Sequence, residues 1–236
     1  TAGSQARPNW TASGKLGSAA KFDGVDDFIV TRPVDINSID NYNRTLTAWI
    51  YPVKTGVNGN IISHGGSNDG DYNWYSLIQR SNNNAMCKSY WYKGSGGNNG
   101  GQDTGANATL NFNQWNFVAC VITYDNSTNK TSTTIYLNGI TNTNTSLEPG
   151  LISNPNINKV LVIGAEANSL YPAQPINMFN GSIDEAAIWN RSLTAQEIQS
   201  IYKLKAGRYY LKVNTTDGSI INETDARQIS IDTAPA

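Results

Sequence analysis

Short runs of β-branched and aromatic residues alternate along the chain with clusters of glycine, asparagine and aspartate. Residues of the first kind favour extended strands, and the clusters favour turns. The clearest runs are 28–31, 45–51, 60–63, 75–80, 85–92, 115–124, 133–137, 160–164 and 183–189. About a dozen short strands joined by loops of this length predict an all-β fold, an antiparallel sandwich of two sheets.

The run at 115–124 is apolar at successive positions, including Phe117, Val118 and Ala119. Successive residues of a strand point to opposite faces, so this strand is apolar on both and is predicted to lie centrally, covered from each side.

Asn138 and Gly139 separate the run at 133–137 from a further polar strand that starts at Ile140. Asn-Gly accepts positive φ at both positions, as a two-residue type I′ turn requires. The pattern predicts a β-hairpin here.

One helix is predicted, after the last clear strand. Thr194 is the candidate N-cap, and Glu197 three residues later completes a capping box. Leu193 and Ile198 have the spacing of a hydrophobic staple. Gly207 is the predicted end of the segment, because glycine commonly follows a helix C-terminus.

Composition narrows the class of partner. Only 15% of the 236 residues are charged, the formal net charge is −1 and there is no basic run, so the electrostatic footprint of a nucleic-acid-binding protein is missing. No apolar stretch reaches the roughly 18–20 residues that cross a bilayer. No secretory leader opens the chain, so a mature protein or a fragment of a longer one is expected.

Asparagine-linked glycosylation sequons are about twice as numerous as 31 asparagines and 41 serines and threonines would produce by chance. They suggest a secreted glycoprotein; the alternative is that an Asn/Thr-rich surface creates sequons without modification. The acceptor positions are Asn9, Asn43, Asn107, Asn126, Asn129, Asn144, Asn180, Asn190, Asn214 and Asn222.

Cys87 and Cys120 are the only cysteines, and each lies within a strand-like run. They could form a disulfide in an oxidising compartment, if their strands are neighbours. Equally, they could be two buried thiols acting as small apolar side chains.

Four motifs, in the same order, resemble the LamG-like jelly-roll family of the concanavalin A-like lectin/glucanase superfamily. They are the opening signature at 17–29, the second strand at 46–50, the central strand at 115–119 and the closing strand and helix at 179–194. The resemblance covers residues 15–204 and implies two antiparallel sheets, with roles in glycan binding, adhesion or spacing in surface proteins.

The chain departs from that pattern at both ends. Family members usually have an additional strand before the opening signature, and no strand signal is seen in the first five residues. At the other end, 209–213 and 227–232 are strand-like and resemble the last hairpin of immunoglobulin-like modules. We therefore divide the chain into a sandwich at 1–204 and a β-rich tail at 205–236.

Many relatives hold a structural calcium ion, so the resemblance implies a Ca²⁺ site. Asp23 and Asp184 lie in the first and last signatures, whose strands should be neighbours, and are the candidate ligands. Alternatively, Asp23 and Asp26 only cap the turn at Gly24.

Aromatic residues on two consecutive predicted strands form a candidate glycan-binding face. Aromatic rings edged by amide side chains resemble the mixed surface of lectin sites. The candidates are Tyr72, Trp74, Tyr90 and Tyr92. At least half of the six aromatics in this region, which also include Tyr75 and Trp91, are expected in the core.

Catalytic signals are weak. The glutamates are scattered, and Asp184 and Glu185 are adjacent, so on a regular strand they would face opposite ways. His64 is the only histidine and is predicted to lie in a loop. A non-enzyme is expected.

Two functions remain open. The first is a non-catalytic glycan-binding or adhesion module on an extracellular or cell-surface protein, with glycans or surface proteins as partners. The alternative is a subunit of an extracellular filament, a homopolymer assembled by strand exchange through the tail at 209–232.

Overall fold

The protein folds as two antiparallel sheets packed face to face, so the predicted all-β sandwich is confirmed. The computed structural model describes residues 7–31, 43–53, 56–64, 74–91, 100–128, 130–149, 161–166, 175–204, 207–211, 214–216, 221–223 and 227–231.

The larger sheet has seven strands in the spatial order β1-β2-β13-β4-β9-β10-β11. Their bounds are β1 Asn9–Thr11, β2 Ala19–Asp23, β4 Arg44–Pro52, β9 Asn116–Asp125, β10 Lys130–Leu137, β11 Ile140–Pro149 and β13 Asn180–Trp189. The first and last strands of the predicted domain, β2 and β13, are indeed neighbours.

The smaller sheet has six strands in the order β3-β12-β5-β6-β7-β8. Their bounds are β3 Ile29–Val30, β5 Gly59–His64, β6 Trp74–Gln79, β7 Asn84–Trp91, β8 Gly100–Thr109 and β12 Leu161–Ile163. Strand β8 has no β-branched or aromatic run and was not predicted; it extends the sheet by pairing with β7.

Strand β9 is covered on both faces, as predicted. Val118, Cys120 and Ile122 face the other sheet and are completely buried in the inter-sheet core. The alternate residues Phe117 and Ala119 belong to a second apolar cluster on the outer face of the large sheet.

Helix α1, Ala195–Lys203, closes that outer cluster. Its Tyr202 ring stacks on Trp49, with ring centroids 5.5 Å apart, and Phe117 contacts the same indole at 5.4 Å. The Lys15 Nζ atom lies 4.3 Å from the indole centroid, which places a cation on this ring system.

The helix begins as predicted. The Glu197 backbone N–H donates to the Thr194 hydroxyl, and the Glu197 carboxylate accepts from the Thr194 backbone N–H at 2.9 Å. Bonds from Arg191, then from the Thr194 backbone, lower the pKa of Glu197 to about 2. The predicted end is wrong: the helix stops at Lys203 with Leu204 as C-cap, and Gly207 begins a strand.

The predicted hairpin turn is confirmed. Asn138 and Gly139 have φ values of 53° and 76°, so both take the left-handed conformation of a type I′ turn. The Asn138 side chain also accepts from the Phe117 backbone N–H, which fastens the hairpin to β9.

The two cysteines form a disulfide between the sheets. Cys87 on β7 and Cys120 on β9 are both completely buried, with Cα atoms 5.1 Å apart. The two strands belong to different sheets and face each other across the core. The residue pattern of neither strand indicates this disulfide.

The structure corrects the expectation at the N-terminal side and redefines the tail. A short strand, β1, lies before the opening signature and pairs with β2.

In the tail, β14 (Gly207–Leu211) pairs with β17 (Arg227–Ile231), and β15 (Asn214–Thr216) pairs with β16 (Ile221–Glu223). These strands pair with one another in the same chain; exchange between copies and the domain boundary at 204 stay predictions.

The one helix in the described ranges has nine residues, too short and too polar to cross a membrane.

Removing the inter-sheet disulfide should destabilise the sandwich. Replacing both cysteines by alanine opens a loop between residues 33 positions apart and should lower the free energy of unfolding by about 2–4 kcal/mol. Chemical denaturation followed by circular dichroism measures this. Reductant should lower the wild-type midpoint and leave the double variant unchanged; equal midpoints for the two proteins without reductant would contradict the prediction.

Removing the N-cap hydroxyl should weaken helix α1. Thr194→Ala is expected to cost about 1 kcal/mol of stability, whereas the matched control Thr194→Ser keeps the hydroxyl and should cost only a few tenths. Thermal melts of the three proteins test this; equal effects of the two substitutions would show that the hydroxyl is unimportant.

Candidate functional site

Three aspartates meet in one turn at the end of β2. Oxygen atoms of Asp23, Asp26 and Asp27 all lie within 4.8 Å of one another. Gly24, with φ of +79°, allows the chain to reverse there, and a Cβ atom at this position would lie 2.7 Å from Asn180 Cβ. The turn therefore requires glycine both for its backbone conformation and for space.

Hydrogen bonds hold the acidic turn in shape. One Asp23 oxygen, Oδ1, accepts from the backbone N–H groups of Val25 at 2.8 Å and Asp26 at 3.3 Å. Asp27 Oδ2 accepts from the Asp23 backbone N–H at 3.0 Å. The proposed turn-capping role of Asp23 is thus present, and it leaves other carboxylate oxygens of the triad for a cation.

The charges of the turn repel one another. Asp27 is buried, and this burial is the main cause that raises its pKa. The hydrogen bond from the Asp23 backbone N–H lowers the pKa, whereas the charges of Asp23 and Asp26 raise it further. A divalent cation would offset this repulsion. Three carboxylates in a tight turn are hard oxygen ligands of the kind that calcium takes.

The predicted partner Asp184 is elsewhere. Asp23 lies opposite Asn180 in the β2–β13 register, and Asp184 is four residues further along β13. Its Oδ2 atom accepts from the backbone N–H groups of Lys15 at 2.7 Å and Leu16 at 2.9 Å, and its Oδ1 atom accepts from Glu185 N–H. The Asp23–Asp184 pair is therefore wrong as a common site: Asp184 anchors the 14–17 turn to β13.

Asp27 replaces Asp184 in the acidic cluster, and sequence reasoning missed it. The signal was present in the consecutive aspartates Asp26 and Asp27, three and four residues after Asp23. A tight turn at Gly24 brings such positions together, whereas the expected contact with β13 needed a register that only the folded sheet defines.

Two of the candidate aromatics, Trp74 and Tyr90, are register partners on β6 and β7. Tyr72 and Tyr92 lie outside the described residues. Tyr75 belongs to the core, as expected for part of this group: it is buried and its ring stacks on His64 at 4.8 Å. The predicted loop position of His64 is wrong, because it ends strand β5 and is 2% exposed.

Sequon asparagines differ in their accessibility. Asn9, Asn126 and Asn190 are exposed, whereas Asn43 and Asn180 are half-buried, and the Asn43 side-chain oxygen accepts from the Tyr124 backbone N–H at 2.7 Å. Asn129 lies outside the described residues, and the side chains of the remaining four, Asn107, Asn144, Asn214 and Asn222, are not described.

The fold and its signatures match a known family. The model of the concanavalin A-like lectin/glucanase superfamily, of the laminin G type, matches residues 23–199, three quarters of the chain. The chain belongs to this superfamily. No curated protein sequence matches it.

Solved structures share the superfamily fold at low sequence identity. A heptameric SAP-like pentraxin from Limulus polyphemus is 16% identical, with a TM-score of 0.52 over 78% of this chain and 80% of the pentraxin chain. The CBM40 of the Ruminococcus gnavus IT-sialidase, solved with bound α2,3 sialyllactose, is 14% identical, with a TM-score of 0.51 over 69% of this chain and 83% of that one.

A third relative in structure is the NanB sialidase of Streptococcus pneumoniae. It is 19% identical, with a TM-score of 0.57 over 86% of this chain, which spans only 30% of the sialidase chain. At these identities the likenesses establish the fold alone.

Calcium should stabilise the protein through the acidic turn. A ligand present at 100 times its dissociation constant adds about 2.7 kcal/mol to the free energy of unfolding, so the melting temperature should rise with calcium and fall with chelator.

The calcium effect should also depend on pH. The folded state raises the pKa of Asp27, so without a cation the contribution of Asp27 to the stability of the fold is lost as pH rises above about 3.8. The calcium effect should therefore be larger at about pH 7 than at about pH 4.

Two variants test whether the acidic turn is the calcium site. Asp26→Asn should abolish the calcium response, because it removes one carboxylate from the triad. Asp184→Asn should lower the melting temperature equally with and without calcium, since the Asp184 carboxylate accepts from backbone N–H groups of the 14–17 turn and β13. Loss of the response in Asp184→Asn, with retention in Asp26→Asn, would move the site away from the turn.

Proposed function

We propose that this chain is a non-catalytic, glycan-binding module of an extracellular or cell-surface protein. The observation that carries the proposal is the cross-strand pairing of Trp74 with Tyr90 in the smaller sheet of a concanavalin A-like sandwich. Cross-strand partners are neighbours on a sheet, so two aromatic residues at these positions can serve one ligand. Aromatic rings supply the apolar surface on which sugar rings stack.

A glycan ligand is supported by the kind of protein that shares the fold. The CBM40 that resembles this chain was solved with sialyllactose. We extend glycan recognition, as a class, to this chain and take sialyllactose as the first probe because it is the ligand named in that structure. The sugar specificity of the present chain is the quantity to be measured.

A non-catalytic role is supported by the structural tasks that two buried carboxylates already perform. Asp184 accepts three backbone hydrogen bonds, which hold its carboxylate in a fixed structural position. Glu166 is buried and accepts from the side-chain amides of Asn60 at 3.1 Å and Asn177 at 2.6 Å. Neither is presented to solvent as a glycosidase pair would be.

An extracellular setting is supported by the inter-sheet disulfide, because such bonds persist in oxidising compartments. The exposed sequon residues Asn9, Asn126 and Asn190 fit the same setting, since a glycan needs an accessible acceptor. Calcium, held by Asp23, Asp26 and Asp27, is the proposed structural cofactor of the module.

Glycan binding should depend on the paired aromatics. We expect the intact protein to bind members of a glycan array that includes sialyllactose, and isothermal titration to show at least a tenfold weaker affinity for Trp74→Ala and Tyr90→Ala, as loss of an aromatic anchor typically produces. Bound glycans should be recovered unhydrolysed, which mass spectrometry can check.

Trp10→Ala is the matched control, because Trp10 is an exposed tryptophan on the other sheet. It should leave glycan affinity unchanged. An array without hits, or equal affinity losses in Trp10→Ala and Trp74→Ala, would refute the assignment of the site, and hydrolysed glycans would refute the non-catalytic role.

A further inference from the structure

A small cleft opens at one side of the sandwich, where the edge strands of the two sheets face each other. Its volume is about 170 Å³. Strands β1, β2 and β13 of the larger sheet form one wall, and β3 and β12 of the smaller sheet form the other. Ala20, Ile29 and Ile163 supply an apolar floor. The cleft lies on neither β6 nor β7, so it is separate from the proposed glycan site.

An exposed indole forms the outer wall of this cleft. Trp10 is opposite Ala20 in the β1–β2 register and 76% of its surface is exposed. Large aromatic side chains are usually well buried, so an indole in water beside a cleft suggests a contact surface. The position is set by β1, the strand that no sequence pattern predicted.

A β-bulge places two consecutive acidic residues at the same cleft. The β13–β4 register shifts between Asp184 and Ala187, and Glu185 takes a left-handed φ of 48°. As a result the adjacent Asp184 and Glu185 both line the cleft, instead of facing opposite ways as a regular strand requires. Such bulges commonly re-aim a side chain next to a functional site.

The negative charge of the cleft has no basic partner among its lining residues. Asp184 is engaged by backbone N–H groups, whereas Glu185 is exposed and no hydrogen bond or ion pair of its carboxylate is seen within the described residues. Partial desolvation, followed by the charge of Asp184, raises the pKa of Glu185. The electrostatics of the cleft therefore favour a cation.

The size and lining select the chemical class. Pockets that enclose whole small molecules measure roughly 300–1,000 Å³, so this cleft suits a single side chain or a small head group. Ser18 supplies the only hydroxyl group in its lining, and the Asp184 carboxylate is already engaged by backbone N–H groups, which leaves few hydrogen-bonding groups for a sugar. An apolar floor, an indole face and a carboxylate together match an alkyl chain that ends in an ammonium group.

We propose that the cleft between Trp10 and Glu185 binds an organic cation of the alkylammonium type. The ammonium group contacts the Glu185 carboxylate and the Trp10 ring, and the alkyl stem lies on Ile29 and Ile163. A lysine side chain of a partner protein and a free alkylamine share this chemistry.

The test uses the full chain in chelator, so that the acidic turn carries no calcium. The probe is n-butylammonium chloride, with 1-butanol as the neutral ligand of equal shape and an Nα-acetylated lysine amide as the peptide source. Proton–nitrogen NMR follows the indole N–H signal that disappears in Trp10→Ala, and ligand-observed saturation transfer measures binding to the variants.

Butylammonium should shift the Trp10 signal saturably, and butanol should not. Glu185→Gln, which keeps the shape of the side chain, should weaken binding about tenfold, as loss of a charged hydrogen-bond partner does. Trp10→Ala should weaken it about fivefold. The control Asp125→Asn removes an exposed carboxylate at the end of β9, away from the cleft, and should leave binding unchanged. A stronger response to the lysine amide than to butylammonium identifies a peptide partner within the same proposal.

An absent shift, equal responses to butanol and butylammonium, or unchanged binding in Glu185→Gln would overturn the proposal. None of these results bears on glycan binding, which depends on Trp74 and Tyr90, so the two assignments fail or stand separately.

Discussion

Strand β9 carries apolar residues on both faces, and each face is stable only where another layer covers it. The smaller sheet covers Val118, Cys120 and Ile122, and helix α1 covers Phe117 and Ala119. Burial of large apolar area on both sides supplies the main driving force for the assembly. The disulfide from Cys120 to Cys87 joins the sheets within this same core. The helix cap and the Asn138–Gly139 turn then hold the covering elements in place.

The candidate sites lie at the margins of this core, where strands end or change register. The acidic turn follows β2, and the small cleft depends on the bulge in β13 and on the short edge strand β1. A packed interior tolerates few changes, and both of these sites lie outside it. Asp184 illustrates the link, since its carboxylate fastens the 14–17 turn beside the bulge that exposes Glu185.

Local chemistry was enough to predict the elements whose signal is contained in a few neighbouring residues. The capping box of Thr194 and Glu197 and the type I′ turn of Asn138 and Gly139 each follow from contacts over three residues or fewer. The double burial of β9 follows from its own apolar pattern. The resemblance of four ordered motifs added the family, which the match over residues 23–199 confirms.

Other features were decided by contacts between residues far apart in the chain. Strand β8 is extended because β7 offers it a ladder, although its own residues, rich in glycine, do not favour a strand. The register of β2 against β13 separates Asp184 from Asp23, and the bulge places Glu185 beside Asp184. The sequence alone thus determined the sandwich, the helix start and the turn, because their causes are local. The partner of each carboxylate was decided by tertiary structure, because strand register depends on the packing of the whole sheet.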